Sequence, residues 1–251
     1  EEESTEVQRK TLPVLNQLRR SDEAIDEALI AAVETSDATV GVVLVELLSD
    51  RRASGFLPRM LSGFSGFDDR VNEAIIEAFP EVSENGDFSF LLELIVESGP
   101  FAESATDSLV LMKDALLDPY LYKRFLSSET ILERDQVLAI DLLRKRGAVE
   151  YKGEFYRMII GGGASVRSAI IRALRDWGEA GDLDMILQVM GQTKEIDLRG
   201  ALSRLFVSLA QTQVKDDAIT VAALDEAFAS ADSSLKATLV KMKEAIRRQS
   251  K

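Results

Sequence analysis

The chain has 251 residues, 46% of them hydrophobic, with no Cys, no His and a net charge of −13. Without Cys or His there is no thiolate nucleophile, no Cys/His zinc site, no disulfide and no histidine general base. The acidic surplus disfavours nucleic acid and anionic membranes, because both are recognised through a basic footprint. Aromatics make up only 6%, and the abundance of Ala, Leu, Ile, Val, Glu, Ser and Arg favours helices packed through aliphatic side chains.

In chain order, Pro13 kinks the first helix or marks its true start. Ile25, Ala28, Leu29, Ala32 and Val33 then form an apolar stripe at helical spacing. After the Ser36-Asp37 punctuation, "VGVVLVELL" places Val40, Val43, Leu44, Leu47 and Leu48 on one face. The longest apolar run, 38–48, is far short of the roughly 20 residues of a membrane span. "VNEAIIEAF" repeats the offsets with Val71, Ala74, Ile75, Ala78 and Phe79, and Phe88, Leu91, Leu92, Ile95 and Val96 follow. Residues 103–117 (Leu109, Met112, Leu116, Leu117) and 131–146 (Leu138, Ala139, Leu142, Leu143) are helical with a blurred register. Asp118-Pro119 between them reads as an N-cap followed by Pro at the first helical position.

The stretch 147–160, "GAVEYKGEFYRMII", has two readings. Lys152-Gly153 could turn a β-hairpin between two β-favouring runs, in the manner of a DNA-binding wing. Alternatively Gly147 ends one helix, and Phe155, Met158 and Ile159 line the next. The helix is favoured by the spacing of its neighbours. Gly161 to Gly163 reads as a hinge between units.

Residues 165–190 are the best organised. Val166, Ala169, Ile170, Ala173, Leu174 and Trp177 make one face of a helix, with Arg167, Arg172 and Arg175 off it. Gly178 and Gly181 break the helix, Asp182 is placed to cap the next, and Leu183, Ile186, Leu187 and Met190 line that one. Trp177 is expected in the seam to the neighbouring unit. "LRGALSRLF" (Leu198, Ala201, Leu202, Leu205, Phe206) and "LKATLVKM" (Leu235, Thr238, Leu239, Met242) repeat the pattern. Ile219, Ala222, Ala223 and Ala227 lie between them, after a looser connection at 211–217.

The stripes begin at 40, 71, 166, 198 and 235, in steps of 31, 32 and 37 residues, with a gap of three such steps in the middle. A fixed period of this size marks a repeated helical hairpin. The Val-Arg head at 166–167, then "AIIRAL", then "GEAGD" resembles a HEAT repeat of the short bacterial type. Tetratricopeptide repeats have a similar period, but their spaced Trp, Gly, Tyr and Pro signature is absent. The resemblance implies an all-α, armadillo-like fold: a right-handed α-solenoid of about seven to eight antiparallel hairpins. It would be a single domain over 1–251 with an irregular unit at 118–163.

The cationic clusters Arg19-Arg20, Arg51-Arg52, Arg144-Lys145-Arg146 and Arg247-Arg248 fall where helices end, as the dipole favours. Asp68-Asp69 and Asp216-Asp217 read as caps rather than metal ligands, and "SENGD" (83–87) lacks the ligand pattern of a calcium loop. No catalytic set, cofactor motif or metal site assembles. The expectation is a non-enzymatic scaffold that binds another protein, through a basic segment, on second-helix faces carrying Glu23, Asp26, Glu27, Glu93, Glu97, Asp184 and Asp225. Tyr120, Tyr122, Tyr151 and Tyr156, gathered in the irregular middle, are candidate partner contacts. The alternatives are a small-ligand, lyase or chaperone-type HEAT-like protein with its groove near those tyrosines, and DNA binding through the 147–160 wing. The chain is read as soluble, cytoplasmic or an exported or trimmed domain, since it starts at Glu1 without Met. Its oligomeric state is left open.

Overall fold

The computed structural model describes residues 23–53, 55–83, 87–127, 130–213 and 217–249. Pro13, Arg19-Arg20, Asp216 and residues 84–86 of "SENGD" lie outside them. Among the described residues all regular structure is helical, with no strand. The helices are α1 (Glu23–Thr35), α2 (Ala38–Arg51), α3 (Phe56–Gly63), α4 (Asp69–Val82), α5 (Ser89–Glu97), α6 (Ala102–Leu111) and α7 (Leu117–Phe125). They continue as α8 (Glu133–Arg146), α9 (Lys152–Gly161), α10 (Ala164–Trp177), α11 (Leu183–Gln192), α12 (Ile196–Gln213), α13 (Asp217–Ser230) and α14 (Ser233–Gln249). Short 3-10 turns stand at Phe64–Gly66, Val149–Tyr151 and Ala180–Asp182. The chain forms two compact units, one ending at Pro119 and one beginning at Tyr120.

In the first unit α4 packs between α2 and α6, while α1 lies against α2 and α3, and α5 against α6. In the second unit α8, α10, α12 and α14 form one row of successive contacts and α9, α11 and α13 a second row. The rows meet through α9 with α10, α11 with α12, and α13 with α14. The spacing of polar contacts matches this order. Ser104 and Ser108 donate to Glu73 Oε1 and the Ile76 carbonyl, 31 and 32 residues back. Ser165 N–H donates to Glu133 Oε1, Arg172 to Asp141 and Arg144 to Asp176, at separations of 31 or 32. Each joins one helix to the same place on the next helix of its row.

Local rules set several helix ends. Asp37 accepts from the N–H groups of Thr39 and Val40, and Asp68 from that of Arg70, as N-caps do. Gly147 ends α8 in the left-handed region at φ 72°, where glycine carries no Cβ penalty. α7 starts at Leu117, so Asp118 and Pro119 lie within its first turn and not at its cap. The buried Asp114 accepts the Leu116 N–H at 2.7 Å ahead of that start.

Several of the predicted stripes are corrected by packing: Ala28, Val96 and Ala222 are exposed. The α2 stripe is rotated: Val40 and Val43 are 46% and 49% exposed, while Gly41, Val45, Leu47 and Leu48 face inward. Gly41 sets that register, because a Cβ there would stand 2.9 Å from Val71 Cγ2. Leu116, placed in an apolar stripe, is 54% exposed in the loop before α7. The open question at 147–160 resolves as helix, a 3-10 turn followed by α9 with Phe155 and Ile159 buried.

The stripe of α10 is buried as expected at Val166, Ala169, Ile170, Ala173 and Leu174. Trp177 is half-buried and stacks on Phe155 at 5.4 Å between ring centroids, 16° between planes. Gly178 then turns the chain where a Cβ would meet the Leu174 carbonyl at 2.5 Å and Leu209 Cδ1 at 2.6 Å. Gly178→Ala is therefore expected to destabilise the protein by about 2–3 kcal/mol, as overpacking against backbone does. Chemical denaturation checks this, and an unchanged midpoint would contradict it.

Candidate functional site

Among the described residues, several members of the cationic clusters at helix ends are bound into structure. Arg51 closes α2, but its role goes beyond the dipole: Nε and Nη2 donate to Asp26 Oδ1 at 2.7 and 2.6 Å, with both side chains at 4% exposure or less. Asp26, expected on the polar face of α1, is thus a core ion pair and is withdrawn from any partner surface. Arg144, Lys145 and Arg146 occupy the last turn of α8, and Arg247 and Arg248 that of α14. Arg144 also binds Asp141 and Asp176.

Two arginines to which the sequence assigned no pairing role carry the joints of the second unit. Arg167 of α10 donates to the Ile159 and Ile160 carbonyls at 3.1 and 3.0 Å, covering acceptors that the end of α9 leaves unsatisfied. Its other nitrogen edge pairs with Glu195. Arg199 of α12, 32 residues on, repeats the arrangement with the Met190 carbonyl at the end of α11 and both oxygens of Asp232. These hydrogen bonds, with the Leu235 N–H, hold the Asp232 carboxyl at about 2. The signal was present in the sequence as the Val-Arg and Leu-Arg pairs one period apart.

Asp182 does not cap α11. Its carboxylate accepts from the Glu179 N–H at 2.8 Å and from Lys152 Nζ at 2.9 Å, and Lys152 also reaches Glu179 Oε1 at 3.0 Å. The loop after α10 is thereby tied to the start of α9, a long-range bond that no local pattern encodes.

The candidate tyrosines separate by environment. Tyr122 and Tyr151 are half-buried and stack at 5.2 Å. Burial, with Glu154 nearby, raises the Tyr122 phenol above its ordinary value. Tyr120 is half-buried, with the Arg124 guanidinium 5.9 Å from its ring centre. Tyr156 is only 4% exposed, and its hydroxyl has no hydrogen-bond partner. Burial and the charge of Asp182 push that phenol strongly up. Tyr156 thus offers core volume and almost no contact surface.

Glu93 and Glu97 are exposed on α5 of the first unit, and Asp184 on α11 of the second. Asp184 borders an open groove of about 570 Å³ between α11 and α13. Leu187, Ala223 and Ala227 line it, and Gln188, Glu226 and Asp232 bring polar groups to it. Asp232 is held by Arg199, whereas Asp184 and Glu226 make no salt bridge among the described residues. In the first unit Glu23 and Glu27 border a groove of about 650 Å³ between α1 and α3. There Arg59 is held by both oxygens of Glu34. Asp225, also expected on a polar face, is bound by Lys243 through both oxygens.

Among the described residues no group of three or more carboxylates is placed to hold a metal ion. Among the described residues no helix is long and apolar enough to cross a membrane. The helix at 147–160 leaves the wing reading without the β-hairpin on which it rested. Comparison with family models, with curated proteins and with solved structures finds no match to this chain.

Proposed function

We propose that this protein is a non-enzymatic scaffold, a HEAT-like right-handed α-solenoid that holds another protein by a basic segment on its second-helix faces. The observation that carries this reading is the groove between α11 and α13, where Asp184 and Glu226 flank a floor of small and aliphatic side chains. Such a floor admits a peptide backbone closely, and the carboxylates favour Lys or Arg beside it. The repeat order behind the groove is supported by the two rows of helices and by the polar contacts one period apart. In that arrangement each repeat contacts its neighbours and a continuous surface is built.

A fluorescein-labelled peptide of Lys interspersed with Ala tests the reading by anisotropy. Exposed ion pairs contribute about 0.2–1 kcal/mol each, so Asp184→Asn with Glu226→Gln is expected to weaken binding about three- to tenfold at low salt. The difference should shrink as salt rises. Equal affinity of the parent and the double variant at low salt would sink the proposal.

A further inference from the structure

The first-helix row of the second unit carries a groove of the opposite character. Between α12 and α14 lies an open cleft of about 330 Å³ flanked by Arg204 and Lys241. Its lining includes no carboxylate, in a chain where acidic residues outnumber basic ones by 43 to 30. Arg172, Arg204 and Lys241 stand at successive repeat positions, separated by the same steps of 32 and 37 residues as the apolar stripes. Arg172 is neutralised by Asp141 at 2.9 Å. Arg204 and Lys241 are both exposed and form no salt bridge among the described residues. Glu244, one turn on from Lys241 in α14, faces Arg248 at 3.8 Å.

The rest of the cleft suits a peptide. Ser208 and Gln211 add neutral donors beside the two cations, and the half-buried Val207 and Ala245 supply an apolar floor. A volume near 330 Å³ sits at the low end of ligand sites, enough for a few side chains and open for a chain to pass. Nucleic acid fits less well. Duplex binders commonly neutralise about 6–10 phosphates, whereas this cleft offers two free cations, and the −13 charge of the whole chain repels a polyanion.

We infer that the α12–α14 cleft is a second docking site, for an acidic peptide segment whose carboxylates meet Arg204 and Lys241 and whose apolar side chain rests on Val207 and Ala245. It is distinct from the acidic α11–α13 groove and selects a partner of opposite charge. One unit would therefore join a basic segment on one helix row to an acidic segment on the other.

The test uses the full chain and a fluorescein-labelled peptide of Glu interspersed with Leu, followed by anisotropy at low salt. Arg204→Gln with Lys241→Gln is expected to weaken binding about fivefold or more. Arg204→Lys with Lys241→Arg should retain most of it. Lys123→Gln with Arg247→Gln makes the same change in net charge outside the cleft and should leave affinity within about twofold of the parent. Undiminished binding by the cleft variant would overturn the inference, as would equal loss in the Lys123/Arg247 control, which would mark a general charge effect. Tighter binding of a single-stranded oligonucleotide of equal charge, lost in the cleft variant, would assign the cleft to nucleic acid instead.

Discussion

Asp26→Ala is expected to destabilise the first unit by about 3 kcal/mol, within the range found when one partner of a buried ion pair is removed. The Asp26 side chain is 4% exposed and that of Arg51 0%, and the carboxylate receives two guanidinium contacts of 2.6 and 2.7 Å. Deleting it leaves the Arg51 charge buried with less compensation. Arg51→Met alone should cost less, because Met fills similar volume without burying a charge of its own. The double variant Asp26→Ala/Arg51→Met should recover part of the loss. Urea denaturation of the four proteins gives the coupling energy directly. A purely additive cycle would show that the pair contributes nothing beyond its separate side chains.

Phe155→Ala is expected to cost about 3–5 kcal/mol, the range for emptying a buried aromatic site. Phe155 is fully buried in α9 and stacks on Trp177 at the end of α10. Its removal opens a cavity at the junction of two helices and deprives Trp177 of one face. Trp177 is the only tryptophan in the chain, so its fluorescence reports this junction without interference. A red-shifted native spectrum should accompany a melting temperature lowered by about 10 °C. Phe155→Leu, which keeps most of the volume, should lose less than half as much. An unchanged native spectrum in Phe155→Ala would mean that Trp177 does not depend on this contact.

How far the fold could be read from sequence differs helix by helix. α10 was legible because its apolar residues are bounded on the helix surface by Arg167, Arg172 and Arg175, so only one face can turn inward. α2 was not, because "VGVVLVELL" is apolar nearly all round and several registers bury similar area. Gly41 against Val71 chose among them, and that contact joins residues 30 apart. The same limit affected charge. Asp26 and Asp184 both look like surface carboxylates on second helices. One is buried because Arg51, 25 residues away, folds onto it, and the other borders an open groove. The tyrosines divide similarly: Tyr122 and Tyr151 keep a half-exposed stack, while Tyr156 is enclosed.

The sequence by itself determined the all-helical class, the period near 32 residues and the chemistry that is out of reach without Cys or His. These follow from composition and from spacing along the chain, which folding does not alter. Only the tertiary structure decided which charges remain available. Arg51, Arg167 and Arg199 are consumed by carboxylates and carbonyl groups brought in from 7 to 33 residues away, while Arg204 and Lys241 are left facing solvent across one cleft. Pairing between distant residues depends on the path of the backbone in three dimensions: the period marks where Arg167 and Arg199 repeat, but which carboxylate or carbonyl meets each is set only when the helices pack.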